Sequence, residues 1–161
     1  MISKVELRKQ LKNLGITVQG TFVKRSDIQK VLSEEGYNRK ILQGYFEAML
    51  WSSRNIDVED EEFLDENYSI LDISEELTKQ SLKDIEDFVT KADEAEIQLT
   101  LYDTETIGHD FWLSRSGSGA GFNDGDYEGN DGEDGETLHK IASSFKEVNP
   151  YVGDDGKIYA E

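Results

Sequence analysis

Few side chains in this 161-residue chain can do acid–base, nucleophilic or metal chemistry, and their spacing does not assemble a reaction. There is no cysteine, which excludes disulfides, thiolate catalysis and Cys-based zinc sites. The two histidines are His109 and His139. His109 adjoins Asp110, but neighbours on a strand point to opposite faces, so the two make a poor acid–base pair. His139 lies in LHKIASSF, where Leu138, Ile141, Ala142 and Phe145 form the apolar stripe of a helix and leave the imidazole partly exposed. Ser114, Ser116 and Ser118 occupy a Gly/Ser stretch with no strand–elbow–helix frame for a nucleophile. Asp124, Asp126, Glu128 and Gly129 match the first half of a calcium loop, but Gly135 stands where the bidentate Glu is required and Glu136 comes one residue late. The segment 123–136 therefore reads as a mobile acidic insertion between a strand and a helix, and its seven acids would repel phosphate. The expectation is a non-enzymatic protein with no catalytic residue, no metal ligands and no cofactor.

Charge is the strongest feature. The net charge is −18. It is unevenly placed: residues 1–48 hold nine Lys/Arg against five Asp/Glu, and residues 49–161 hold eight against thirty, a net of +4 followed by −22. Such asymmetry points to separate electrostatic roles for the two parts. The hydrophobic share, 36%, is low, yet the aromatics and aliphatics cluster periodically enough to build a core. The charged start (Lys4, Glu6, Arg8, Lys9) lacks the apolar core of a secretory leader, and no stretch reaches membrane-span length, which predicts a cytoplasmic protein.

The elements follow from apolar spacing. Ser3 with Glu6 opens a helix over 3–14, striped by Leu7, Leu11 and Leu14 and stopped by Gly15. Ser26 caps a second helix, with Ile28, Val31 and Leu32 inward, that Gly36 ends. Asn38 opens a third, whose broad apolar face holds Ile41, Leu42, Tyr45, Phe46, Met49 and Leu50; Gly44 within it marks close packing. Residues 55–72 carry eight acids, with Phe63, Leu64, Tyr68, Ile70 and Leu71 pinning the segment to the core. Asp72 and Glu75 cap a helix over 73–91, with Ile73, Leu77, Ile85, Phe88 and Val89 buried. IQLTLY (97–102) is a strand or a helix tail. HDFWLSRSGSGAGF (109–122) reads as two short strands joined by a Gly-rich turn, 136–148 as a helix, and YVGDDGKIY as a hairpin turned by Asp-Gly. The fold class is α+β: an N-terminal helical hairpin and further helices, then a small antiparallel sheet with a packed helix. The predicted domains are a basic helical hairpin over 1–36 and an acidic α+β body over 37–161.

Two resemblances accompany this pattern. Leu7, Leu11, Gly15, Gly20, Ile28 and Leu32 fall where the SAP-type DNA-binding motif has its Leu pair, turn, Gly and second-helix aliphatics. The likeness covers about 30 residues and implies backbone contacts to nucleic acid from Lys24, Arg25 and Lys30; Asp27, Glu34 and Glu35 dilute that patch. Further on, LDENYSILDISEEL, GHDFWLSRSGSGAGF and GETLHKIASSFKEVNPYVGDDGKIY, spanning 60–161, resemble a family of small phage-encoded proteins of unassigned function. That family carries LDxNY, GHDFWLTRxGHGxGFWDR-like and YVGDDGKIY-like segments. Here Ser118 replaces its frequent His and Asn123 its frequent Trp. The resemblance implies a phage setting and a host-cell cytoplasm.

Two functions follow. In the first, the protein is a DNA mimic that presents carboxylates in place of nucleic acid and inhibits a host nucleic-acid-acting protein, such as a defence, restriction or nuclease enzyme. DNA carries one charge per ~1.7 Å of helix axis, so its binders expose dense Lys/Arg that such a surface can occupy. The acids expected to do so are Asp57, Glu59, Asp60, Glu61, Glu62, Asp65 and Glu66, then Glu75, Glu76, Asp84, Glu86 and Asp87 on the following helix. In the alternative, the SAP-like head binds nucleic acid through Lys24, Arg25 and Lys30, and the acidic body recruits a protein partner.

Overall fold

A computed structural model describes the backbone of residues 25–55 and 62–161, and the side chains of 36–55 and 62–161. The chain divides into two compact units, Met1–Arg39 and Lys40–Glu161. The predicted first helix (3–14), its Gly15 stop and Lys24 lie outside the described residues.

Helix α1, Arg25–Ser52, takes the place of the second and third predicted helices. Gly36 was expected to stop the chain between them, but it does not adopt the positive φ of a C-terminal cap glycine. An interior Gly costs a helix only about 1 kcal/mol relative to Ala, too little to end it when both flanks propagate. Within Lys40–Glu161 the last turns of α1 bury Ile41, Leu42, Tyr45, Phe46, Ala48, Met49 and Leu50, as their spacing predicts.

The acidic connection after α1 is tied back by an antiparallel bridge between Arg54 and Phe63. Leu64 N–H donates to Ser53 O at 2.9 Å. The residues between, 56–61, lie outside the described part. Two 3₁₀ turns follow, Leu64–Glu66 and Ile70–Asp72; Leu64 is buried while Leu71 is 93% exposed. Asp72 forms its capping box with Ser69 around the second turn rather than opening the next helix. Helix α2, Glu75–Glu94, is capped instead by Ser74, whose Oγ accepts from Leu77 N–H at 3.1 Å. Its inward face is Leu77, Ser81, Leu82, Ile85, Phe88 and Ala92. A 3₁₀ turn, Leu99–Leu101, stands where a strand or helix tail was expected.

The largest departure is at 109–122. The two predicted strands are absent from it: Thr104–Arg115 is helix α3. Asp103 caps it, its carboxylate accepting from Thr106 N–H at 3.0 Å. Ile107, Phe111 and Ser114–Arg115, spaced by four and three, form its buried face, so a 3.6-residue period underlies what reads as alternation. The Gly-rich part is the reversal after the helix; Gly117, Gly119 and Gly121 all have positive φ, the region a Cβ disfavours. Segment 123–136 is folded in place by a buried Tyr127 and by Asp134, not a loose insertion. It contains a one-turn helix, Gly129–Gly132, with left-handed Asn130 and Asp131. Helix α4, Asp134–Ser143, comes slightly earlier than its sequence reading. Strands β1, Pro150–Val152, and β2, Ile158–Ala160, pair antiparallel with Tyr151 opposite Tyr159. Ser74 N–H donates to Ile158 O at 2.9 Å, which fixes this hairpin to the start of α2. The class is α+β: among the described residues, helices with one small two-stranded antiparallel sheet near the C-terminus.

The core is aromatic. Phe88 stacks on Phe111 (ring centroids 4.5 Å apart) and on Phe122 (5.5 Å), and Tyr45 meets Trp112 edge-on at 5.4 Å. The four elements α1, α2, α3 and the turn after α3 thus meet through one ring cluster. Truncating such a buried ring to Ala typically costs about 3–5 kcal/mol.

Candidate functional site

Helices α1 and α3 cross in close backbone contact at Gly44 and Gly108. A Cβ on Gly108 would strike Ile41 O and lie 2.5 Å from Tyr45 N; one on Gly44 would strike Glu105 O and lie 2.9 Å from its Cα. Only hydrogen fits at either position. Because the backbones come so close, side chains beside the two glycines are forced together. Glu47, one turn beyond Gly44, meets Glu105 and His109, which flank Gly108. His109 Nε2 lies 3.3 Å from Glu47 Oε2 and 3.9 Å from Glu105 Oε1. A hydrogen bond with Glu47, then the repulsion between the two carboxyls, holds the Glu105 carboxyl above its ordinary range. No spacing rule finds this group, since His109 and Glu47 are 62 residues apart. The one legible sign was Gly44 inside an apolar helical stripe.

Three further polar groups are held by hydrogen bonds within the fold. Ser114 Oγ stands 3.2 Å from His139 Nδ1, a nucleophile–base pairing by residue type. The hydroxyl is buried and accepts from Phe122 N–H at 3.1 Å. It closes the Gly-rich reversal, since a Cβ on Gly121 would collide with it. Asp110, expected on a strand, lies on α3 and accepts from the Tyr127 hydroxyl at 2.6 Å. Burial raises the Asp110 carboxyl and, more strongly, the Tyr127 hydroxyl. Asp134 accepts from the Tyr102 hydroxyl at 2.6 Å and from Asn130 Nδ2 at 2.7 Å, so it is spent on ordering the 123–136 segment.

Arg115, the last residue of α3, is buried beneath this surface. Its Nη1 donates to Asp84 Oδ2 at 2.9 Å and to the Tyr45 hydroxyl at 3.2 Å. Its Nε and Nη2 both donate to Lys146 O, at 3.1 and 2.7 Å. Burial pushes the Tyr45 hydroxyl up to about 12 despite the neighbouring guanidinium.

The acids singled out in the sequence divide by environment. Asp57, Glu59, Asp60 and Glu61 lie outside the described residues. Asp65 and Glu66 are exposed on the first 3₁₀ turn. Glu62 is half-buried and accepts from Asn67 Nδ2 at 2.6 Å. Glu75, Glu76 and Asp87 are exposed on α2, with Glu75 paired to Lys79 at 3.0 Å, and Glu86 is half-buried there. Asp84 is on the same helix but faces inward to Arg115, its side chain 16% exposed. Of the basic residues, Lys24 lies outside the described part, and Arg25 and Lys30 are in α1 with no described side chains.

The end of α1 and the two 3₁₀ turns border an open groove of about 450 Å³ lined by Leu50, Trp51, Ile70 and Leu71 together with Glu47, Asp65 and Ser69. Among the described residues, no helix is long and apolar enough to cross a membrane. Comparison with protein-family models, with curated proteins and with solved structures finds no match to this chain.

Proposed function

We propose that the protein is a non-enzymatic, phage-type acidic protein that acts in the host cytoplasm by occupying the nucleic-acid-binding face of a host enzyme. The observation that carries this reading is the charge of residues 49–161, −22, with several of its acids held outward on regular elements. At one charge per ~1.7 Å, this equals roughly 37 Å of duplex DNA. Helix α2 cannot supply the effect alone. Its 20 residues span about 30 Å and carry seven acids against three lysines, while duplex of that length carries roughly eighteen charges. The mimic must therefore draw on Asp65 and Glu66 together with Glu75, Glu76 and Asp87. Ordered acids bind better than mobile ones because no ordering entropy is lost on docking. The groove supports a protein partner: the exposed Leu71 beside Asp65 offers an apolar contact next to a carboxylate, suited to a hydrophobic side chain set among Lys and Arg.

The test is capture from nuclease-treated bacterial lysate, followed by elution with duplex DNA and with salt. The expected result is a nucleic-acid-acting enzyme that DNA displaces and that the Asp65, Glu66, Glu76 and Asp87→Lys variant fails to hold. Capture that vanishes with nuclease overturns the proposal and assigns the activity to the basic head. Capture unchanged by the four reversals removes these acids from the interface.

A further inference from the structure

The geometry points to a divalent transition-metal site at the α1–α3 crossing, with Glu47, Glu105 and His109 as its protein ligands. This inference is independent of nucleic-acid mimicry. One ligand oxygen from each carboxylate and one imidazole nitrogen all lie within 4.8 Å of one another. Two donors each ~2.1 Å from a tetrahedral ion stand about 3.4 Å apart. The His109 Nε2–Glu47 Oε2 separation of 3.3 Å already satisfies that. The Glu105 oxygen, at 3.9 Å, is on a side chain 60% exposed, so a rotamer adjustment closes the difference.

The imidazole separates this group from the many other acids on the molecule. A carboxylate cluster alone holds calcium or magnesium weakly; a nitrogen donor shifts preference toward zinc and its first-row neighbours. The helix crossing adds a second distinction. Two glycines admit the backbones to contact, and Glu47 of one helix is thereby set within 4.8 Å of Glu105 and His109 of the other. With His109 the protein supplies three ligands and leaves a fourth position facing solvent for water.

Zinc and manganese ions serve as probes, with magnesium as the comparison, titrated calorimetrically into the chelator-treated full chain. The expected result is one site per chain that binds Zn²⁺ more tightly than Mn²⁺, and both more tightly than Mg²⁺. His109→Ala should abolish that site, Glu105→Gln should weaken it at least tenfold, and His139→Ala should leave it unchanged. Because His109 and Glu105 are partly exposed, circular dichroism melts of the metal-free variants should show no loss of Tm relative to the parent, and the parent should gain more Tm with Zn²⁺ than either variant. Equal Zn²⁺ binding by His109→Ala would assign the ion to scattered carboxylates and overturn the site. So would parent binding with no preference for Zn²⁺ over Mg²⁺.

Discussion

Replacing Asp84 with Asn removes half of the ion pair that anchors Arg115 and leaves the other half buried. The Arg115 side chain is 3% exposed, and its guanidinium makes four hydrogen bonds, to Asp84, Tyr45 and twice to Lys146 O. It also lies 5.5 Å from the ring centroids of Phe111 and of Phe145. After Asp84→Asn the guanidinium keeps its other partners but loses its counter-charge. Removing one partner of such a pair costs about 3–5 kcal/mol, mostly as the penalty of an uncompensated buried charge. For a chain of this length that is a Tm decrease on the order of 10 °C. Urea unfolding should show the midpoint fall with the slope unchanged, since the surface exposed on unfolding is the same. The double variant Asp84→Asn, Arg115→Met should recover much of the loss, because a Met fills the space without a charge to compensate. A loss below about 1 kcal/mol for Asp84→Asn, the range of surface pairs, would refute the reasoning and mean that water reaches the pair. A double variant less stable than the single one would refute it differently, by showing that the hydrogen bonds to Lys146 O outweigh the buried charge.

Two other perturbations follow. Gly108→Ala should force α1 and α3 apart and cost on the order of 3 kcal/mol, in the range of severe core overpacking; thermal melts measure it, and a loss under 1 kcal/mol would mean the helices slide without penalty. Asp110 titrates above its ordinary value in the fold because burial disfavours its charge. Its contribution is therefore fully present below the unfolded value and is lost as pH rises through the raised one. Stability curves of the parent and Asp110→Asn should accordingly diverge with rising pH across that interval, the parent losing stability relative to the variant, and curves that stay parallel would contradict the burial argument.

Much of the fold was legible where one period dominated. The apolar face of 41–50, the α2 stripe through Leu77, Ile85 and Phe88, and the Asp-Gly hairpin at 150–160 are where their spacing puts them. Helix α3 was not legible. Phe111–Trp112 read as strand residues, yet Gly108 is there because α1 lies against it, a tertiary reason local pattern does not carry. The decisive local signal was Asp103, an N-cap followed by an Ile107–Phe111 spacing of one turn. The same limit applies to the site. Glu47 is one glutamate among many in sequence, and only the helix crossing gives it Glu105 and His109 as neighbours. The charge asymmetry, in contrast, needs no fold to be read, and it gave the functional proposal its direction while leaving the geometry of individual acids, such as the inward Asp84, to the structure.

The Arg115–Tyr45 hydrogen bond joins residues 70 positions apart. The Gly44–Gly108 crossing spans nearly as much chain, and all of α2 and the acidic turns lie inside that loop. Closing it has an entropy cost that rises only with the logarithm of its length, but it must be met before the aromatic cluster is complete. Neither side of the crossing gains its tight contact until the other arrives. The crossing should therefore form late in folding, with Gly108→Ala accelerating unfolding more than it slows folding. What holds α1 to α3 would then set how long the folded chain lasts rather than how quickly it is made.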